Sequence, residues 1–301
     1  MPPAIVLDSV TKRFGNKVAV DDVSLAVPTG SVYGFIGPNG SGKTTTLRMI
    51  MNILLPDAGH VSVLGDTRTA AARDRIGYLP EERGLYKQMQ VKRLLRYYGE
   101  LKGGRRGDVE QEADRWLERL GLTAVASQKI ESLSKGMAQK VQFIATVVAR
   151  PDVVILDEPF TGLDPVNRDV LRDAVLSLRA RGTTVVFSTH DMSMAELMCD
   201  RIFMIFHGRK VLDGSLAEIQ TEYGHDTVRV RVSGGADVLA AMPGVERLND
   251  HGNLQEVRLS VDAQAWLREL LTRADVQHFE ITRPSLHDIF LEIARPLPEE
   301  A

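Results

Sequence analysis

Short, uninterrupted apolar runs alternate with stretches whose apolar residues recur every three or four positions through the first two thirds of the chain. The runs at 20–27 and 31–36 read as strands, and 43–53 reads as a helix. Residues 153–157 are an apolar run of buried-strand length, followed by a helical pattern over 165–181. Further strands are expected at 184–188, 202–206 and 210–212. Apolar strands bounded by helices predict an α/β core with a partly parallel sheet. Between 88 and 150 the pattern changes. Residues 91–102 and 109–120 carry apolar positions at helical spacing, interrupted by Gly103, Gly104, Arg105, Arg106 and Gly107, and no strand is expected. This predicts a helical insert on the core.

A second shift comes near 219–227, where polar residues and Gly224 break the pattern. Strands are then expected at 228–232, 245–249, 254–261 and 276–282, and helices at 236–241, 263–273 and 285–294. That order, β-α-β-β-α-β plus a helix, predicts a small ferredoxin-like α+β domain. The expected boundary separates residues 1–222 from 223–301.

Composition narrows the picture. A chain of 301 residues suits one large domain or two unequal ones. A net charge of -3 and a pI of about 6.2 argue against a nucleic-acid binder, which usually shows a basic face. Cys199 is the only cysteine, so an internal disulfide is excluded and a reducing compartment is expected. Its plainest reading is a small buried apolar residue. The first ten residues lack the basic start and apolar stretch of a signal peptide. No apolar run approaches the roughly 20 residues of a membrane helix. A soluble protein is therefore expected, and any membrane pore it serves would be formed by another chain.

Gly37, Pro38, Asn39, Gly40, Ser41, Gly42, Lys43 and Thr44 fit the pattern G-x-x-x-x-G-K-[ST], between an expected strand and an expected helix. Glycines let consecutive amides converge on phosphate oxygens, and the helix N-terminus adds partial positive charge. Lys43 would place an ammonium at the β- and γ-phosphates, and the Thr44 hydroxyl could ligate Mg²⁺. Thr45 follows at the helix start and joins the expected nucleotide-binding set. The alternative is a Gly-rich turn with a solvated lysine. Asp157 and Glu158 end the apolar run at 153–157. In P-loop enzymes an aspartate there holds Mg²⁺, and a following carboxylate can act on the attacking water. A solvated surface pair is the alternative.

Together these motifs resemble the Walker A and Walker B motifs of ABC-type ATP-binding domains. Leu133, Ser134, Lys135, Gly136 and Met137 look like that family's signature LSGGQ, although in isolation they would also read as an ordinary helix cap. Thr161, Gly162, Leu163 and Asp164 look like its D-loop, and His190 like its switch histidine. Phe14 lies where the family stacks an aromatic ring on adenine, and a core role is its alternative. The resemblance implies ATP and Mg²⁺ as cofactors. It also implies a head-to-tail homodimer, or a paired ATPase subunit, in which Ser134 and Gly136 complete the partner's site.

The chain departs from the family pattern in two places. Glu81 stands where a glutamine usually contacts Mg²⁺ and senses the membrane partner, and Lys135 and Met137 replace Gly and Gln. Glu81 could still ligate Mg²⁺ but cannot donate a hydrogen bond. Lys135 either adds charge near the γ-phosphate or points to solvent. Both departures, with Pro284, Ser285, Leu286, Asp288, Ile289 and Phe290 near the end, resemble a subfamily of bacterial export cassettes. This implies an ATP-hydrolysing subunit at the cytoplasmic face of the cell membrane, working with integral permease subunits and not with nucleic acid. Leu85 and Tyr86 are candidate permease contacts. The C-terminal domain reads as a packing or dimer-contact module, or as a regulatory site. An ABC ATPase acting on DNA or the ribosome would carry long coiled coils, zinc-binding cysteines or a second cassette. An inactive regulatory subunit would lack some of Lys43, Asp157, Glu158 and His190.

Overall fold

The computed structural model describes residues 2–66, 72–82, 84–223 and 226–294. The chain divides into two compact units, Met1–Ser215 and Leu216–Ala301. The division falls seven residues before the expected boundary of 222/223, so helix 216–222 counts with the second unit.

In the first unit the elements are β1 (Ile5–Phe14), β2 (Lys17–Val27), β3 (Val32–Ile36), α1 (Lys43–Ile50), β4 (Ala58–Val63) and β5 (Ile76–Leu79). Three helices follow without a named strand, α2 (Val91–Leu101), α3 (Arg106–Arg119) and α4 (Lys135–Val147). The core resumes with β6 (Val153–Asp157), α5 (Pro165–Ala180), β7 (Thr184–Thr189), α6 (Met192–Met198), β8 (Arg201–Phe206) and β9 (Arg209–Gly214). A six-stranded sheet runs in the order β5-β6-β7-β3-β8-β9, parallel except for β9. Every residue of β3, β6 and β7 is buried, which explains why these strands are apolar runs and not alternating ones.

A three-stranded antiparallel sheet, β2-β1-β4, lies over the same core. Two of its strands, β1 and β4, are not expected from the pattern, and neither are β5 and α6. The cause in β1 is visible. Its pairing with β2 shifts register after Leu7, and Ser9 takes φ 48°, so buried Ile5, Leu7 and Val10 do not alternate cleanly.

The second unit contains α7 (Leu216–Glu222), β10 (Asp226–Val232), α8 (Gly235–Ala240), β11 (Val245–Asp250), β12 (Gln255–Leu259), α9 (Ala263–Arg273), β13 (Val276–Thr282) and α10 (Leu286–Ile293). Its antiparallel sheet has the order β11-β12-β10-β13, the ferredoxin-like arrangement. Val228, Val230, Val257 and Leu259 pack against Leu239, Trp266 and Leu270. The sequence around Ser285 is a helix start. Ser285 Oγ accepts from the Asp288 amide at 3.2 Å, and Asp288 accepts from the Ser285 amide at 3.2 Å, while Leu286 and Ile289 are buried.

Candidate phosphate-binding and hydrolytic site

Parallel pairing sets the ends of three strands side by side. Ile36 of β3 pairs with Thr189 of β7, and Asp157 of β6 pairs with Ser188 of β7. The loop after β3, the carboxylates after β6 and the histidine after β7 therefore emerge at one edge of the sheet, outside the carboxyl ends of the strands.

Gly37 and Gly42 have local reasons to be glycine. Both take positive φ, 154° and 115°. A Cβ on Gly37 would lie 2.3 Å from the Ile205 carbonyl oxygen, and one on Gly42 would lie 2.6 Å from that of Ala19. Gly42 is also the N-cap of α1 and supplies no capping side chain, so the first-turn amides have no oxygen from that position. Lys43 is buried, and its Nζ donates to the Gly37 and Pro38 carbonyls at 2.7 and 3.1 Å. Burial pushes its pKa below the ordinary lysine value, and Glu158, Asp157 and Glu81 oppose that shift.

Asp157 is almost wholly buried. Its Oδ1 accepts from Ser188 Oγ at 2.5 Å and from Thr44 Oγ1 at 3.4 Å. Its Oδ2 is buried with no hydrogen-bond partner among the described residues, as is Ser41 Oγ. A buried carboxylate oxygen without a donor, beside a threonine hydroxyl, fits a hard divalent cation. The residues present thus suit Mg²⁺, which would supply charge neutralisation at phosphate oxygens.

Glu158 takes φ 50°, an uncommon conformation for a residue with a side chain, of a kind that costs about 1–3 kcal/mol. Four groups hold it there. Its amide donates to Ser188 Oγ at 3.0 Å, and Oε2 accepts from Thr161 Oγ1 at 3.1 Å. Oε1 lies 3.0 Å from His190 Nδ1 and 3.9 Å from Lys43 Nζ. His190 is 55% exposed, so the surrounding solvent can reach it.

A cavity of about 340 Å³ joins these parts, with Phe14, Asn39, Lys43, Thr44, Glu81 and Glu158 on its walls. Gly40, Gly42 and Thr45 line it too. Phe14 is half exposed, so it is not a core residue. Most of the predicted loop thus opens on one space with Phe14, Glu81 and Glu158, while Gly37, Pro38, Ser41, Asp157 and His190 are not on its walls. Ser134 and Gly136 do not line it. Ser134 caps α4, accepting from the Met137 amide at 3.3 Å. Lys135 is exposed, yet a Cβ on Gly162 would lie 3.2 Å from its Nζ. It shares a smaller cavity with Glu81, Glu158 and Thr161.

Sequence reading missed Ser188 and two glutamines of α4, and it placed Thr161 in the D-loop-like string without its bond to Glu158. Gln139 Nε2 donates to the Pro159 carbonyl at 2.5 Å, and Gln142 Nε2 to the carbonyls of Pro80 and Glu82 at 3.4 and 3.3 Å. The available signal was a hydroxyl at the end of an otherwise apolar strand, and two buried amides on one helix.

Comparison with known proteins bears on both units. A family profile described as "ABC transporter" matches residues 20–161, and one described as "ATP-binding protein DrrA1-3-like, C-terminal domain" matches 214–294. The "Uncharacterized ABC transporter ATP-binding protein YhaQ" of Bacillus subtilis is 38% identical over 290 residues, which are 96% of this chain and 97% of that protein. The "Linearmycin resistance ATP-binding protein LnrL" of the same organism is 32% identical, over 95% of this chain and 96% of its own. The "Daunorubicin resistance ATP-binding protein DrrA3" of Streptomyces coeruleorubidus is 34% identical, over 96% and 95%. A solved structure described as "Structure of ATP binding subunit of ABC transporter" aligns with a TM-score of 0.69 and 28% identity, over 73% of this chain and 93% of that one. Similarity that runs through both compact units leaves neither to a separate lineage, and the chain belongs to the ABC transporter ATP-binding subunits, a family of ATP hydrolases.

Proposed function

We propose that this subunit binds MgATP between two copies of itself, or between itself and a paired ATPase subunit, and drives export through a separate membrane permease. Phe14 stacks on the adenine. The amides of loop 37–44 and the Lys43 ammonium hold the phosphates, and Thr44, Asp157 and Glu81 hold Mg²⁺. Glu158 accepts a proton from the attacking water as its oxygen bonds to the γ-phosphorus and the bond to the bridging oxygen breaks, leaving ADP. His190 keeps Glu158 in line. Ser134 and Gly136 complete the partner's site, a role compatible with Gly136, where a Cβ would make only ordinary contact with Asn167 and Leu163, so its own chain does not require glycine there.

The observation that carries the hydrolytic reading is the buried, unpartnered Asp157 Oδ2 beside a Glu158 carboxylate held by His190 and Thr161. The permease reading rests on a groove of about 300 Å³ walled by Tyr78, Pro80, Leu85, Tyr98 and Leu101. Leu101 and Tyr86 are exposed nearby, and no helix among the described residues is long and apolar enough to cross a membrane. Export follows the relatives named for drug resistance, and the cytoplasmic membrane face follows from the permease. The second unit acts as a packing or dimer-contact module.

Glu158→Gln tests the base. It keeps the side-chain shape and removes the proton acceptor. Turnover should fall by about 10²–10⁴-fold while ATP binding persists. Normal hydrolysis by this variant would refute the assignment.

A further inference from the structure

A second cavity in the first unit, of about 410 Å³, has no wall residue in common with the ATP site. It lies among α3, the segment joining α4 to β6, and the segment joining α5 to β7, and its charged walls are Glu112, Arg115, Arg150, Asp152 and Arg181. Glu112 is 1% exposed. Its Oε2 accepts from Arg115 Nη1 at 3.1 Å and from Arg150 Nε and Nη2 at 3.1 and 2.7 Å. Its Oε1 accepts from Arg181 Nη1 at 3.0 Å. Asp152 is matched by Arg75 at 2.7 Å. One carboxylate facing three guanidiniums leaves a surplus of two positive charges. Those four bonds use four of the roughly fifteen N–H groups that three guanidiniums carry. All three arginines remain about half exposed, so their other donors are open to a ligand.

A tryptophan stands against the cluster. Trp116 also lines the cavity and is 2% exposed. Its ring lies 5.6 Å from the Arg119 guanidinium and 5.5 Å from that of Arg181. Its Nε1–H is buried with no acceptor among the described residues. That N–H has almost no accessible surface and is not presented to a ligand, but the ring lies against Arg181 and so reports on the cluster. The cavity volume falls within the range of small-molecule sites.

We infer that this cavity binds a small multivalent oxyanion, a phosphate or a polycarboxylate, at a site separate from the phosphate loop. Arginine forks match such oxygens in pairs. Its walls come from α3 of the helical insert and from segments beside β6 and β7 of the core, so a bound anion would brace one against the other.

The test titrates inorganic pyrophosphate, and separately citrate, into the full chain carrying Lys43→Ala and Trp266→Phe. Lys43→Ala weakens anion capture at the phosphate loop, and Trp266→Phe leaves Trp116 as the sole tryptophan. At constant ionic strength a saturable change in Trp116 fluorescence is expected with at least one anion. Adding Arg115→Gln should weaken it about tenfold, the worth of one charge-assisted hydrogen bond. A response to pyrophosphate assigns a phosphate ligand, and a response to citrate assigns a polycarboxylate. No saturable response to either anion overturns the inference, as does a response that Arg115→Gln leaves unchanged. Since Trp266 is part of the second unit's core, calorimetric titration of the Lys43→Ala chain repeats the measurement with both tryptophans present, and absence of binding there overturns the inference as well.

Discussion

Lys43 is a buried cation whose ammonium rests on two carbonyl oxygens of its own loop, with a carboxylate 3.9 Å away. An ATP phosphate offers that ammonium a stronger acceptor than a carbonyl does. Lys43→Ala should therefore weaken ATP binding about 10–100-fold, the worth of one charge-assisted contact, and a fluorescent-nucleotide titration measures it. An unchanged dissociation constant would count against the loop as the phosphate cradle. Cys199 shows the opposite kind of residue. Burial pushes its thiol pKa up, and a Cβ on Gly34 would lie 2.5 Å from its Sγ. It packs as a small apolar group, so a thiol reagent should modify the folded chain far more slowly than the unfolded one. At this scale the loop and the carboxylate pair were legible because each is a local string, and His190 because it follows an apolar run. Ser188 and the bond from Thr161 to Glu158 were not, because they depend on β7 lying beside β6 and on the turn after Glu158.

α3 belongs to the insert, yet its buried Glu112 is bonded to Arg150 and Arg181, which follow α4 and α5. Burial alone would raise the Glu112 pKa, but the hydrogen bonds from Arg150 and Arg181 outweigh it and hold the carboxyl below its ordinary value. A carboxyl whose folded pKa is depressed contributes stability above its unfolded pKa of about 4.3, and that contribution is lost as pH falls through the lower folded value. Melting temperatures should therefore drop on acidification below about pH 4.3. Glu112→Gln should cost about 1–3 kcal/mol at neutral pH, reduced from a fully buried pair because the arginines are half exposed, and should flatten the acid slope. Parallel acid curves for both proteins would refute the latch. Among elements, the fully buried strands and long helices were legible in the pattern. β5 has only four residues, and β4 is broken at Gly59, φ 80°, and buries only Val61 and Val63, so neither shows a period to read.

For the whole molecule, the proposed two-copy site separates binding from turnover. Ser134 and Gly136 lie off the cavity that holds Lys43, so a change there should spare nucleotide capture by one chain. Ser134→Arg is expected to abolish hydrolysis while leaving the affinity for ATP within about threefold, compared by equilibrium titration and a phosphate-release assay. Normal turnover would argue against shared sites. The two-unit organisation was legible in the switch from apolar runs to alternating strands. The placement of residues 216–222 was not, because a short helix carries no mark of the unit it packs with.

Ser188 Oγ links two adjacent residues, donating to the Asp157 carboxylate and accepting from the Glu158 backbone amide. Under the proposed roles, the residue that grips the cation and the residue that deprotonates water have one tether in common. A slip of β7 along β6 would slacken both together, so evolution or engineering could not adjust one duty of this site through that strand without disturbing the other.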